Sequence, residues 1–196
     1  RRGYNNWELK LKAKRGHSSR IYSKEFGVGA NNLLALFLAE GMKAAQSIDG
    51  ITFNPAIVSG GSELKINQQK HNATSSAKNN VIAESSYARG DIRNLTHQDY
   101  NHFKKKLMKI VDQLPEPKQA VLSFHEGAPP MAQKQGNLEL LAKLSQVSED
   151  LGYGKVQALD PKLRGAADTS YVADHVGGVI DGIGLLGDGA HSFEER

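Results

Sequence analysis

Strict alternation of apolar and polar residues near the start of the chain predicts a β-strand with one buried face. From Trp7 to Lys14 every second residue is apolar, and the residues between them are charged. Successive side chains of a strand lie on opposite faces of a sheet, so a period of two indicates one dry face and one wet face. We therefore expect a strand over residues 7–14 whose charged face meets solvent.

Two later segments follow a helical period instead. Their apolar residues recur three or four positions apart, which is typical of an amphipathic helix that lays one face on a sheet. The second segment starts at Thr96, and Asp99 three residues later gives the pattern of a helix cap. The apolar positions are Leu33, Leu34, Phe37, Leu38, Met42 and Ala45 in the first segment and Tyr100, Phe103, Leu107, Ile110, Val111 and Leu114 in the second.

The chain between these helices predicts three more strands. Residues 51–58 and 63–67 are short strand candidates, and the serines and glycines between them favour a hairpin. Pro55 favours an edge position, because it cannot donate a backbone hydrogen bond. Residues 70–79 are polar and predict a loop, and residues 81–93 predict a further strand. The expected fold is α+β: a four-stranded antiparallel sheet with two helices on one face.

The pattern changes after a Pro-Glu-Pro sequence at residues 115–117. Candidate strands lie at 121–124, 155–158 and 179–181, and candidate helices follow Asn137, ending at Gly152, and Asp168. Strands that alternate with helices are typical of an α/β layer. About 80 residues are too few for a complete doubly wound domain. We therefore expect one domain over residues 1–114 and an incomplete α/β segment over residues 115–196.

Composition and charge narrow the possible partners. Hydrophobic residues make up 39% of the chain and charged residues 23%, and no apolar run approaches the roughly 20 residues that span a bilayer, so we expect a soluble protein without a membrane partner. The net charge is +4. However, the early lysines alternate with apolar residues, and no ribonucleoprotein or helix-turn-helix pattern is present, so we expect no nucleic-acid partner.

Both ends of the sequence predict a piece of a longer protein. The chain starts without a methionine, and Ser192 and Glu195 form a capping box that announces a helix one residue before the end. We therefore expect that the natural N-terminus is absent and that the C-terminus is cut. The chain has no cysteine, which excludes disulfides and thiolate ligands but leaves the cellular compartment open.

Two of the seven histidines lie in loops suited to chemistry. His17 is in a polar turn just after the first predicted strand, and His191 is in a glycine-rich loop before a helix start. His125 and Glu126 begin like a zincin signature, but no second histidine follows at helical spacing and prolines come next. A zinc ion needs about four ligands, so the residues alone leave both loop histidines open to a surface role.

Four short motifs, taken in order, resemble the zinc-dependent exopeptidase family of aminoacylases and glutamate carboxypeptidases. The motifs are Gly-His-Ser-Ser at 16–19, Thr-Phe-Asn-Pro at 52–55 with the glycines 60–61, Asn80 leading into Gly-Asp-Ile-Arg at 90–93, and Arg-Gly-Ala-Ala-Asp at 164–168 with the Gly-Ala-His-Ser at 189–192. The resemblance covers nearly the whole chain. It implies the family's lid, or dimerisation, domain followed by the C-terminal part of its catalytic domain.

The resemblance also implies partners and site residues. The partners would be a second copy joined through the lid and a peptide or N-acyl amino acid substrate, and the cofactor would be two zinc ions. His191 would bind one zinc ion, and His17 would reach into the partner subunit's active site and stabilise the oxyanion of the tetrahedral intermediate. Asn80 and Arg93 would hold the substrate, Arg93 through the terminal carboxylate. Gly165 would let the backbone approach the substrate closely.

The implied activity belongs to the longer protein. It would be a metallopeptidase, similar to carboxypeptidases and aminoacylases, that releases a C-terminal amino acid such as glutamate. In the family, the first zinc histidine, the bridging aspartate and the proton-shuttling glutamate precede the lid, and this chain lacks that segment. The glycine run before Asp168 is also Gly-Ala-Ala here. The alternative hypothesis is a dimerisation or binding module that is inactive as this chain.

Overall fold

A four-stranded antiparallel sheet with two long helices on one face forms the centre of the molecule. The computed structural model of the chain describes residues 1–184 and Phe193. The strands are β1 (Gly3–Lys12), β2 (Thr52–Gly61), β3 (Glu63–Asn67), β4 (Asn72–Ser76), β5 (Ser85–Asn94) and β6 (Gln119–Glu126). The helices are α1 (Ala30–Gln46), α2 (His97–Gln113), α3 (Gln135–Asp150) and α4 (Thr169–Val172), with 3-10 turns at Ser18–Arg20 and Pro161–Leu163.

The central sheet has the strand order β2-β5-β1-β6, with every neighbouring pair antiparallel. The predicted four-stranded sheet with two helices on one face is therefore confirmed, and β2, which contains Pro55, lies at an edge as predicted. The membership of the sheet differs from the prediction. The fourth strand is β6, which pairs with β1, and not the segment 63–67.

The predicted hairpin between residues 51–58 and 63–67 is wrong. β3 pairs with β4 in a separate two-stranded sheet, and β4 lies within residues 70–79, which predicted a loop. β4 has the sequence Asn-Ala-Thr-Ser-Ser, without the apolar alternation that marks a half-buried strand. Backbone pairing with β3 makes it a strand, and its sequence pattern gave no sign of that.

The β3–β4 turn folds back over the face of the sheet that the sequence predicted to be wet. The Gln68 amide and the Tyr87 hydroxyl each donate a hydrogen bond to the Glu8 carboxylate, at 2.9 and 2.8 Å. His71 lies 3.1 Å from a guanidinium nitrogen of Arg89. Tyr87 is only 1% exposed, and burial together with its bond to Glu8 raises the pKa of its phenol to about 12. The charged face is thus partly covered.

The predicted domain boundary after Leu114 separates β6 from the sheet to which it belongs. Residues 119–126 were assigned to the second segment, yet Leu122 pairs with Leu9 and Phe124 with Trp7 in the ladder between β6 and β1. The four-stranded sheet therefore extends to Glu126, and the division of the chain into two domains stays a prediction. The reason is that β6 covers the edge of β1 opposite β5, which would otherwise leave unpaired backbone groups.

The second half of the chain has helices where the pattern predicts them but lacks the predicted strands. Residues 155–158 and 179–181 are irregular, and these predictions are wrong because neither segment has a strand to pair with among the described residues. α3 starts two residues before Asn137 and stops before Gly152, whose φ of 80° suits glycine. Within residues 1–184, no helix combines the length and apolar character required to cross a membrane.

Aromatic rings join the sheet to both long helices. The Trp7 ring centroid lies 4.6 Å from that of Phe53 and 5.8 Å from that of Phe37 on α1. Phe53 also meets Phe103 on α2, with 5.7 Å between centroids. Trp7, Phe37 and Phe103 are at most 1% exposed. Because such rings bury large areas and add about 0.5–1.5 kcal/mol per pair beyond burial, this cluster fixes the helices to the sheet.

A glycine in the middle of β5 permits a close approach between the backbones of β5 and β2. The register between β2 and β5 shifts between Pro55 and Ile57, opposite Gly90 and Arg89. A Cβ added to Gly90 would lie 1.7 Å from the Asn54 carbonyl oxygen. The bulge in β2 and the glycine in β5 therefore require each other.

We predict that Gly90→Ala destabilises the fold by about 1–3 kcal/mol or more, because the added methyl group forces the β2 backbone away. The measurement is the free energy of unfolding from urea titration. The matched control is Gly177→Ala, since nothing among the described residues lies within 4 Å of a Cβ added there. Equal stability of the two variants would contradict the proposed close approach.

Candidate functional site

His17 lies in the turn that follows β1. The imidazole Nδ1 accepts a hydrogen bond from the Ser19 backbone N–H at 3.2 Å and lies 2.8 Å from the Ser19 hydroxyl. An Nδ1 that accepts from a backbone N–H carries no hydrogen, so the hydrogen of the neutral ring is on Nε2. The side chain is exposed. This histidine is held in one tautomer and presents an N–H donor to solvent.

Backbone pairing brings Asn80 next to His17. His17 and Val81 form an isolated antiparallel bridge, and the Ser18 N–H donates to the Asn80 carbonyl at 2.9 Å. Gly16 is required just before the bridge, because a Cβ there would lie 2.3 Å from the Phe26 ring. The turn after β1 and the turn before β5 therefore form one exposed corner that carries both side chains.

Charged side chains fasten the rest of this corner. Lys14 and Arg20 both pair with Glu25, the Arg20 contact being 2.5 Å. The same two cations lie over the Phe26 ring, with the Arg20 guanidinium 4.2 Å and the Lys14 ammonium 5.0 Å from its centroid. These contacts hold the loop between β1 and α1 in place around His17.

Arg93 lies at the other end of the sheet, near the end of β5. Its Nε donates to the Asp91 carboxylate at 2.7 Å, and its guanidinium carbon lies 4.4 Å above the Tyr4 ring. Asp91 also accepts from the Asn54 amide at 3.0 Å. A Cβ added to Gly165 would meet an Arg93 terminal nitrogen at 3.8 Å, so the glycine faces the guanidinium. The fold thus brings Arg93 and Gly165 together.

The pair His17 and Asn80 and the pair Arg93 and Gly165 lie at opposite ends of the ladder between β1 and β5. Tyr4 pairs with Arg93 at one end, and Lys12 pairs with Ser85 at the other. Eight residues of extended strand separate these ends by about 27 Å. His17 and Asn80 lie beyond the second end. Within one chain, the four described site residues therefore form two separate places and not one site.

His191, the predicted metal ligand, lies outside the described residues. Within residues 1–184, no three histidine, aspartate or glutamate side chains come together as a metal site would require. The described residues alone therefore do not fit a zinc centre, and no catalytic step is assigned to one. His125 and Glu126 lie in β6, as expected from the rejected zincin reading.

An apolar cavity of about 510 Å³ lies between α3 and the last described segment. Its walls are aliphatic side chains such as Leu138, Leu141 and Leu144, and Arg164, next to Gly165, lies at its border. The cavity does not reach His17 or Asn80. Arg1 and Asp181, which pair with each other, also line the cavity, so apolar walls are combined with a few charged groups.

The sequence pattern did not predict which side chains surround Arg93. Tyr4 and Asp91 lie on the same face of the sheet as Arg93, and Arg2, just before β1, donates from Nε to the Arg164 carbonyl at 3.2 Å. The strand was predicted to start at Trp7, whereas it starts at Gly3. Extending the alternation back from Glu8 would have placed Arg2 and Tyr4 on the polar face.

Known proteins share both the sequence family and the fold. The family model of the peptidase dimerisation domain matches residues 1–119. No curated protein matches the chain. Among solved structures, a tripeptidase from Staphylococcus aureus has a TM-score of 0.69 at 17% identity, covering 99% of this chain and 46% of its own. The aminopeptidase PepT from Bacillus cereus has a TM-score of 0.65 at 14% identity, covering 90% and 42%.

A third structure adds a description of chemistry for that protein. It is a Bacillus subtilis protein described as a dinuclear metal-binding peptidase of the M20 family, with a TM-score of 0.54, 15% identity, and coverage of 91% of this chain and 40% of its own. This chain thus spans less than half the length of these structural relatives. At such identities the structural likeness shows the fold. The family match covers more than half of the chain, and the chain therefore belongs to the M20 peptidase dimerisation-domain family.

Proposed function

We propose that this chain is the lid and the C-terminal catalytic segment of a zinc-dependent exopeptidase. Residues 1–114, together with β6, would form the lid, and the remaining residues up to 196 would belong to the catalytic domain. The whole protein would cleave a peptide or N-acyl amide bond and release a C-terminal amino acid such as glutamate. Membership of the peptidase dimerisation-domain family and the likeness to peptidase folds support this proposal.

The single observation that carries the proposal is the separation of the two pairs of site residues. His17 and Asn80 lie at one end of the ladder between β1 and β5, and Arg93 and Gly165 lie at the other, about 27 Å away. No motion of a side chain closes such a gap. A homodimer formed through the lid would supply the partner subunit's His17 and Asn80 to the place where this chain provides Arg93 and Gly165.

The described residues suit the roles proposed for them. The Nε2 hydrogen of His17 is a donor for a developing oxyanion, and its orientation is fixed beforehand by the bonds to Ser19. Arg93 uses Nε for Asp91, so its terminal nitrogens remain for a substrate carboxylate. Gly165 leaves room for that carboxylate beside the guanidinium. The Asn80 amide would bind the substrate next to His17.

Zinc would be held by His191 and by residues outside the described part of the chain. When bound, zinc ions polarise a carbonyl and supply hydroxide near neutral pH, which is the chemistry that peptide hydrolysis needs. This chain's own residues would bind the substrate carboxylate, orient the scissile bond and donate a hydrogen bond to the oxyanion.

The second candidate function is a dimerisation or binding module without catalysis. It is favoured by two observations: residues 1–184 contain no cluster of three metal-ligating side chains, and the matched family is a dimerisation domain. The two candidates are separated by assaying the full-length protein with zinc on dipeptides and N-acyl amino acids. Hydrolysis supports the exopeptidase, and failure on the whole panel leaves the binding module.

We predict that subunits with complementary defects restore each other. His17→Ala and Arg93→Ala proteins should each be nearly inactive. In a mixed dimer, one of the two sites would have both intact residues, so the mixture should regain about a quarter of the wild-type activity after subunit exchange. The measurement is the hydrolysis rate before and after mixing.

The control for this experiment is a mixture of two separately prepared His17→Ala samples, which should stay inactive. Recovery must also rise with incubation time, since it depends on subunit exchange. If mass spectrometry shows heterodimers in the mixture but the hydrolysis rate does not recover, each chain builds its site alone, which would contradict the proposal.

We also predict that the 196-residue chain retains well under one zinc ion per chain after dialysis. The reason is that a stable zinc site needs about four ligands, and the proposal assigns only His191 from this chain. Elemental analysis of the purified chain gives the number. One or two retained ions would show that this chain, or its dimer, provides a complete ligand set, and the assignment of the missing ligands elsewhere would be wrong.

A further inference from the structure

Two arginines, Arg2 and Arg93, both approach the segment that contains Arg164 and Gly165. Tyr4 pairs with Arg93 across the ladder between β1 and β5. Arg2 lies one residue before β1 and two before Tyr4, so continuing the alternation of the strand places it on the same face, diagonal to Arg93 and within reach of long side chains. The Arg2 Nε bond to the Arg164 carbonyl holds the side chain toward the Gly165 segment.

Among the described residues, the cluster carries more positive charge than its acidic neighbours neutralise. Asp91 accepts from Arg93 at 2.7 Å and from Asn54 at 3.0 Å, and Asp181 pairs with Arg1 at 2.9 Å. Among the described residues, no carboxylate lies within 4 Å of the Arg2 guanidinium nitrogens. Partial burial and then the charge of Arg93 lower the pKa of Arg2, and the charge of Asp91 opposes them. A like-charged pair without a full set of counter-ions is the arrangement of an anion site.

We propose that Arg2 is a specificity residue that binds a second anionic group of the ligand, beside the carboxylate bound by Arg93. The ligand class is then a small dicarboxylate, such as the acidic C-terminal residue of a peptide or N-acyl amino acid. This inference rests on the proposed function for its place in a reaction, but the binding of a dicarboxylate does not require hydrolysis.

The contacts of the two guanidinium groups leave different nitrogens free to bind the ligand. Asp91 and the Tyr4 ring hold the Arg93 guanidinium in place, so the edge that carries its terminal nitrogens has a fixed orientation. Among the described residues, Arg2 is bonded only through Nε, which leaves both terminal nitrogens for a carboxylate in the fork geometry that arginine offers. Gly165 lies against Arg93, since a Cβ added there would be in van der Waals contact with the guanidinium at 3.8 Å.

The test is calorimetric titration of the full-length protein with glutarate, a dicarboxylate, and with butyrate, its monocarboxylate counterpart. Wild-type protein should bind glutarate more tightly. Arg2→Gln should weaken glutarate binding about tenfold, the loss expected for a hydrogen bond between charged groups, and leave butyrate binding unchanged. Arg93→Gln should weaken both ligands. Arg2→Lys keeps the charge without the fork and should give an intermediate affinity for glutarate.

The matched control is Arg89→Gln, which removes the same charge from the same face of β5, four residues from Arg93. It should change neither affinity, whereas an equal loss in Arg89→Gln and Arg2→Gln would mean that overall charge alone attracts the ligand and would overturn the proposal. Equal affinity of wild-type protein for glutarate and butyrate would overturn it as well. Thermal unfolding of each variant verifies that the fold is intact.

The same variants separate this inference from the proposed function. If the protein bound glutarate through Arg2 but hydrolysed no peptide, the dicarboxylate site would be supported and the exopeptidase proposal would be wrong. If both the wild-type and the Arg2→Gln proteins hydrolysed peptides with neutral and with acidic C-terminal residues equally well, the exopeptidase proposal would be supported. The specificity role of Arg2 would then be wrong.

Discussion

The ladder between β1 and β5 is the interaction on which the rest of the molecule depends. Ten residues of β1 pair with ten of β5, and the two strands occupy the centre of the sheet, with β2 and β6 outside them. The inward side chains of β1 contact both long helices, so losing this pairing would remove the sheet surface on which the helices pack. The same ladder sets the distance between the two functional corners.

The ladder also explains why one chain holds only half of each proposed site. His17 follows β1 and Asn80 precedes β5, so antiparallel pairing necessarily brings them together at one end. Arg93 and Tyr4 meet at the opposite end for the same reason. A rigid, fully paired pair of strands cannot bend to join its own ends, and the proposed shared site of a dimer would use both.

Charge is distributed between these ends in different ways. Around His17, the cations Lys14 and Arg20 share one carboxylate and an aromatic ring, which makes a self-contained support for a loop. Around Arg93, the guanidinium groups exceed the carboxylates, and Arg2 keeps its terminal nitrogens free of carboxylate partners among the described residues. The first arrangement stabilises a turn, and the second is suited to an anionic ligand.

The sequence by itself determined β1, both long helices and the cap at Thr96, because each is coded by local periodicity or by a bond between near neighbours. Short motifs also named the candidate residues His17, Asn80, Arg93 and Gly165. Tertiary structure alone decided which strands pair. It brought β6 into the sheet, paired the polar β4 with β3, and left residues 155–158 and 179–181 without strand partners among the described residues. It also placed Arg2 beside Arg93 and separated the two corners. These outcomes depend on contacts between residues distant in sequence, which no local pattern records.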